Sequence, residues 1–194
     1  MEILVACEYS GIVRDAFIRR GHNAVSCDLL PSESDFGPHI QGDVLPVLKQ
    51  GWDLVVAFPS CTDLCSSGAA HFAAKRADGR QAAAIEFFMA FARCPALRLA
   101  IENPIGIMSS EWRKPDQIVQ PYWFGDPIQK STCLWLTFLS PLVRTVWDCS
   151  PEFYIDRAGK KRQRFFDASP SPTRGKDRSK MFQGIADAMA NQWG

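Results

Sequence analysis

Leu54-Val-Val-Ala-Phe58 is an uninterrupted apolar run, entered from Asp53 and stopped at Pro59. A run this short, with no polar residue to turn toward water, suits a strand buried on both faces of a parallel sheet. Such a strand needs helices on both sides, so this stretch predicts an α/β fold with a mostly parallel central sheet. Cys61 follows the stop at Pro59. A side chain just past the carboxyl end of a central strand stands where open α/β sheets place their ligands. A small buried hydrophobe is the plainer account of a free cysteine.

A second run, Leu97 to Ile101, ends in Glu102-Asn103-Pro104. Asn and Pro are ordinary turn residues. A carboxylate and an amide at a strand end are also what a reaction site would use. A thiol beside a carboxylate at two strand ends can perform covalent catalysis on a pyrimidine, the thiol adding to the ring and the acid serving the ring nitrogen.

The N-terminal third has the same grammar. Glu2 to Cys7 predicts a first strand. Ser10 is a plausible helix cap, and Gly11 opens a helix to Arg20 with Ile12, Val13, Ala16 and Phe17 at helical spacing. Arg14, Asp15, Arg19 and Arg20 are expected to face outward, and Gly21 is a stop signal. Asn23 to Cys27 predicts the second strand, closed by Asp28. Leu29 to Gln41 reads as a polar loop, and Gly42-Asp43-Val44 as a turn before a short helix. Ala74 to Arg93 predicts one helix, with Phe87, Phe88 and Phe91 in the core. Ile105 to Asp126 is loop-rich, and Met181 to Trp193 predicts a last helix.

Length, 194 residues, is enough for one domain with a substantial core. No apolar run approaches a membrane span, and the first residues lack the basic start of a signal peptide, so a cytoplasmic protein is expected. Seven cysteines, odd in number and irregularly spaced, argue for free thiols in a reducing compartment. Cys61 and Cys65 have no second close Cys/His pair, so no metal is expected. Charge is uneven. Arg157 to Lys180 holds nine Lys/Arg and two acids, whereas the rest holds thirteen basic and nineteen acidic residues. That segment is either a polyanion contact or a solvated loop.

Pro59-Ser60-Cys61 after one strand and Glu102-Asn103-Pro104 after the next resemble the Pro-Pro-Cys and Glu-Asn-Val motifs of the DNA (cytosine-5)-methyltransferases. Cys7 to Arg14, with Glu8, Ser10 and Gly11, resembles that family's S-adenosylmethionine loop, Phe-x-Gly-x-Gly-Gly; only Gly11 matches a glycine, Tyr9 and Ile12 standing in the other places. Asp28, with Leu29 beside it, matches the acid that holds the cofactor's ribose hydroxyls, and Asp43-Val44 the motif that receives the adenine amine. Phe58 and Pro59 fall where the family's cofactor meets the catalytic strand. The loop from Thr62 to Ala70, small and polar, matches the mobile loop that closes over the target base. Gln129 to Leu136 partly matches a Gln/Arg motif, with Lys130 and Thr132 near its DNA-facing places. Phe182 to Ala190 resembles the closing helix.

The resemblance implies a Rossmann-like S-adenosylmethionine-dependent methyltransferase fold with helices on both faces of the sheet. It makes Cys61, Glu102 and Asn103 catalytic and S-adenosylmethionine the cofactor. DNA is the implied partner, touched by Ser60, Lys130, Thr132 and the basic Lys160, Lys161 and Arg162. The family's large target-recognition region is replaced by a basic, loop-rich insertion at about 141–180, followed by the helix at about 181–193. The chain resembles a compact, phage-type member, acting in a bacterial or phage-infected cell and favouring single strands or flipped-out cytosines. The same chemistry on a free cytosine nucleotide, or an inactive relative that binds nucleic acid or protein, are the rival readings.

Overall fold

The computed structural model describes residues 1–163, 165 and 174–194. Arg164 and the Ser169-to-Thr173 part of the basic segment lie outside the described residues.

The chain forms an α/β fold of Rossmann-like type around one seven-stranded sheet. β1 (Glu2–Ala6) leads through α1 (Ile12–Arg19) to β2 (Asn23–Asp28) and the edge strand β3 (His39–Gln41). After α2 (Val44–Val47) the chain crosses to the other side of β1 and enters β4 (Leu54–Ala57), which pairs parallel with β1. β5 (Arg98–Pro104) lies parallel beside β4. β7 (Thr132–Thr137) runs antiparallel to β5, and β6 (Gln117–Val119) closes the far edge, antiparallel to β7. The order is β3-β2-β1-β4-β5-β7-β6. The order in which successive strands are added reverses between β1 and β4, and such switch points leave a crevice at the carboxyl ends of the strands.

Alternation along the strands divides the core in two. Ile3, Val5, Leu54 and Val56 face one side, where α1 and the last helix, α7 (Gln183–Trp193), pack with Phe17, Ile185 and Met189. Leu4, Ala6, Val55 and Ala57 face the other, against α2 and α4 (Arg80–Ala92) with Phe88 and Phe91. The phenylalanines are therefore core.

Several local expectations are corrected. The helix expected over Ala74 to Arg93 is two: α3 (Phe72–Ala77) and α4, separated by Asp78 and by Gly79 at φ +80°. A left-handed residue cannot continue a right-handed helix. Arg14 and Asp15, expected outside, are 0% and 4% exposed. The loop from Leu29 to Pro38 folds back over α1, so Val13 to Phe17 are all buried, whereas Arg19 at its end is exposed. Arg14 donates to the Ser26 and Ser32 hydroxyls and to the Ser34 and Pro38 carbonyls, and its Nε meets Asp15 at 2.7 Å. The Ser34 hydroxyl donates to the second Asp15 oxygen. Gly37 is needed there, because a Cβ would stand 2.8 Å from Arg14 Nε.

The span Ile105 to Asp126 contains α5 (Met108–Glu111), β6 and a 3₁₀ turn over Pro121–Phe124. From Phe138 to Phe153 the chain has neither helix nor strand. It is held by glutamine clamps instead. Gln117 both donates to and accepts from the Leu142 backbone, and Gln192 does the same with Val143. A small hairpin follows, β8 (Tyr154–Ile155) against β9 (Lys161–Arg162), and then α6 (Arg174–Ser179). Among the described residues, no helix is long and apolar enough to cross a membrane.

Candidate active site

Register brings the two central strand ends together. β4 and β5 pair with Ala57 beside Ile101, so Pro59 and Cys61 emerge next to Glu102 and Asn103. Asn103 is 2% exposed and donates its side-chain amide to the Pro59 carbonyl at 2.7 Å. Pro59 is buried and Ser60 exposed, the Ser60 hydroxyl donating to the Thr62 hydroxyl at 3.2 Å and accepting from Thr62 N–H at 3.5 Å. Cys61 is half-buried at the head of a tight turn, its carbonyl accepting from the Leu64 and Cys65 amides.

The segment after Cys61, expected to be a mobile loop, is built into the structure. Cys65 forms an antiparallel bridge with Gly106, and Ile107 N–H donates to the Leu64 carbonyl at 3.0 Å. A Cβ on Gly106 would stand 2.2 Å from the Leu64 carbonyl oxygen, so only glycine allows this approach. Ser66 to His71 then forms a 3₁₀ turn. Lys75, 7% exposed, anchors the segment from behind. Its ammonium donates to the Thr62 carbonyl at 2.5 Å and pairs with Asp63 at 3.1 Å. Gln81 adds a bond to the Asp63 carbonyl. Neither residue stood out in the sequence, because a lysine and a glutamine near helix ends look like solvated surface.

The third contributor arrives with β7. Its reversed direction sets Thr132 opposite Pro104, so Lys130 comes in at the same end as Glu102. Thr132 itself does not face a ligand. It is 2% exposed, and its hydroxyl donates to the Lys130 carbonyl. Its expected contact with DNA is therefore corrected: inside the sheet it shapes the approach of Lys130. The Lys130 ammonium donates to the Arg178 carbonyl at 3.1 Å and lies 5.5 Å from the Phe182 ring centre.

Electrostatics tie the three groups together. Burial pushes the Glu102 carboxyl above its ordinary range, and Lys130 works against that. Burial also pushes the Cys61 thiol up, with Cys65 and Glu102 adding to the rise and Lys130 opposing it. Burial thus favours the uncharged form of both the thiol and the acid. Lys130 is the cation that favours losing either proton.

A second group of predicted residues lies at the ends of β1, β2 and β3. Cys7 turns at φ +59°, and burial followed by the carboxylates of Asp28 and Asp43 drives its thiol far up. Asp28 and Asp43 thus converge at one end of the sheet. Each spends one oxygen on its own turn, Asp28 on Leu30 N–H at 2.9 Å and Asp43 on Leu45 N–H at 3.0 Å, where it caps α2. Among the described residues the other oxygen of each carboxylate has no hydrogen-bond partner, so the pair can accept from a ligand's hydroxyl or amine. Leu29, 74% exposed, supplies an apolar surface beside Asp28, whereas Val44 is buried. Phe58, at the neighbouring strand end, donates its N–H to the Ala6 carbonyl.

Three members of the expected cofactor loop point inward. Glu8, 5% exposed, accepts from Val13 N–H at 2.7 Å and Arg14 N–H at 3.3 Å, so its carboxylate caps α1. The Ser10 hydroxyl donates to Glu8 and accepts from Ile12 N–H at 3.4 Å, so it joins Glu8 at the start of α1. Gly11, at φ +78°, lies under Arg14 and Ser34. The Glu8 and Ser10 side chains are fasteners of the start of α1. Tyr9 leads elsewhere: its hydroxyl donates to the Lys176 carbonyl of α6 at 2.6 Å. Glu33 pairs with Lys176 and Lys180.

Of the basic residues, Lys160, Lys161 and Arg162 sit on the exposed β8–β9 hairpin, with Arg162 paired to Asp156 at 3.0 Å. All seven cysteines are free, and no group of three or more His, Cys, Asp or Glu among the described residues could hold a metal.

No family model and no curated protein matches the chain. A solved structure of a candidate DNA modification methyltransferase encoded within a prophage (E. coli) is similar at TM-score 0.48 and 14% identity, over 70% of this chain and 46% of that one. The chain thus spans less than half the length of that protein.

Proposed function

We propose that the chain transfers a methyl group from S-adenosylmethionine to carbon-5 of cytosine in DNA, through a covalent bond to Cys61. The observation that carries this reading is the joint placement of Cys61 and Glu102 at adjacent strand ends, fastened by Asn103 and approached by Lys130.

The Asp28 and Asp43 carboxylates fit the cofactor, with free acceptor oxygens for ribose hydroxyls and an adenine amine. When bound, S-adenosylmethionine supplies an electrophilic methyl group on sulfonium. The chain's own residues do the rest. Cys61 loses its proton, favoured by the Lys130 charge, and its thiolate adds to carbon-6 of the ring. Glu102, whose carboxyl holds its proton more tightly because of burial, gives that proton to the ring nitrogen, so no charge builds up there. The ring is then an enamine whose carbon-5 takes the methyl group. Solvent takes the carbon-5 proton, the electron pair left behind re-forms the ring double bond and expels Cys61 as a thiolate, and the nitrogen proton returns to Glu102. Asn103 holds the turn that presents the thiol and touches no reacting atom. A target base in a duplex must first leave the stack, at a cost of a few kcal/mol. An unpaired cytosine avoids that cost and is the better substrate.

The test uses radiolabelled S-adenosylmethionine with single- and double-stranded oligonucleotides, followed by nucleoside mass analysis. Labelled 5-methylcytosine is expected, and an oligonucleotide with 5-fluorocytosine should trap an adduct on Cys61. Label on adenine, an adduct on Cys65, or an active Cys61→Ala variant would overturn the assignment. Label on free cytosine nucleotides alone would move the same chemistry to another substrate.

A further inference from the structure

Beside the candidate active site, the β8–β9 hairpin encloses a cleft of about 530 Å³, lined by Pro127, Ile128, Phe153, Tyr154 and Phe165 with Glu152 and Gln163. That volume falls in the roughly 300–1,000 Å³ range of small-molecule sites. Its walls are fastened. The Gln163 amide both accepts from Gln129 N–H at 2.8 Å and donates to the Gln129 carbonyl at 3.2 Å, and Glu152 N–H donates to the Pro127 carbonyl. The inner wall is shared with the active site. Phe165 leans on Phe182 at 5.3 Å between ring centres, and the Lys130 ammonium stands 5.9 Å from the Phe165 ring. The rim is cationic. Lys161 reaches over the Phe153 ring at 4.1 Å, and Arg157 and Lys160 are exposed on the same hairpin.

Aromatic walls under a cationic rim have a definite chemical complement: a flat, apolar-faced ring attached to a phosphate chain. A peptide or lipid would match the rings but not the flat stack, and an isolated phosphate would match only the rim. We propose that the cleft is a nucleobase subsite, taking an unpaired base that flanks the target cytosine, with its phosphates on the Lys160 and Lys161 side. The proposal rests on the reading of DNA as substrate and names its form, a strand whose neighbouring bases are free to leave the stack. Base–aromatic stacking contributes about 1–3 kcal/mol per base, which is sequence-tolerant because every base has a π-face.

The experiment places 2-aminopurine, one position at a time, around the single cytosine of a single-stranded oligonucleotide. Binding to the full chain is followed with S-adenosylhomocysteine present. Stacking should quench fluorescence at one flanking position. Phe153→Ala, at a ring already 38% exposed, should abolish that quenching and weaken binding about 5- to 150-fold, while Phe153→Tyr keeps both. An abasic nucleotide at the quenched position should weaken wild type equally and Phe153→Ala no further. Binding without position-dependent quenching, or unchanged binding in Phe153→Ala, overturns the subsite, as does absence of binding. Methyl transfer is measured separately on the same oligonucleotides. Quenching without transfer leaves the subsite standing and removes the proposed chemistry; transfer without quenching does the reverse.

Discussion

Asn103 and Pro59 are joined side chain to backbone, amide to carbonyl at 2.7 Å, across the ends of two neighbouring parallel strands. Both residues are buried, so the Pro59 carbonyl has no water to replace this donor. Asn103→Ala should cost about 1–3 kcal/mol in denaturant unfolding. It should also lower methyl transfer by about 100-fold, as a misplaced reacting group does. Calorimetry with S-adenosylhomocysteine should be unchanged. A parallel loss of cofactor affinity would show that the bond supports the whole crevice rather than the thiol turn.

Glu102 makes stability depend on pH in a definite direction. Its folded pKa is raised by burial, so the native state binds the proton more tightly than the unfolded chain. Stability from this group is complete below the unfolded value of about 4.3 and is lost as pH rises through the folded value. Glu102→Gln should therefore be more stable than wild type at neutral pH, with the gain vanishing below about pH 4. A constant difference across pH would mean the carboxyl is not shifted.

Lys130 lowers both the Cys61 and the Glu102 pKa. In Lys130→Met, alkylation of Cys61 by iodoacetamide, read by peptide mass, should need a higher pH than in wild type. Glu102 should hold its proton to higher pH as well. An unshifted alkylation profile would take Lys130 out of the electrostatics of the site.

Arg14 and Asp15 form an ion pair whose side chains are 0% and 6% exposed. Arg14→Met leaves Asp15 charged, buried and without its cation. Breaking such a pair costs about 3–5 kcal/mol. Hydrogen exchange should rise first in 29–38, whose carbonyls and hydroxyls Arg14 gathers. Protection there equal to wild type would show that Asp15 and its serines suffice.

Gly106→Ala forces a Cβ against the Leu64 carbonyl, backbone that no rotamer change can move aside. The variant should lose about 1–3 kcal/mol of stability, as overpacking does. Cys61 alkylation should also accelerate as the turn opens. Gly51→Ala, with nothing within 4 Å of the added Cβ, is the control for the substitution without the clash.

The central strands were legible because burial on both faces leaves an unbroken apolar run, as in Leu54 to Ala57. Their ends were legible because Pro59 and Pro104 punctuate them. The three-residue strands β3 and β6 are too short for alternation to register. Arg14 and Asp15 were misplaced because charge suggests water, and only the loop folded over α1 reveals their partners. Thr132 was misread for a related reason: without knowing that β7 runs backwards, nothing distinguishes a residue entering the sheet from one facing a ligand. The convergence of Cys61, Glu102 and Lys130 depends on register between segments distant in sequence, which no local pattern encodes.

The reversed strand also has an architectural result. β7 starts at the site and finishes, with Thr137 opposite Leu99, at the other edge of the layer. The chain must then climb back before the hairpin, and it does so as an irregular ribbon over 138–153, pinned by Gln117 and Gln192 and bearing Trp147 75% exposed. Nothing in that ribbon belongs to the sheet ladder, and extra length in a surface connection adds little closure entropy. It is a natural splice point. A module inserted beside Trp147 would inherit two fixed anchors and leave every strand end where it stands, so the surroundings of Cys61 and Glu102 would be untouched.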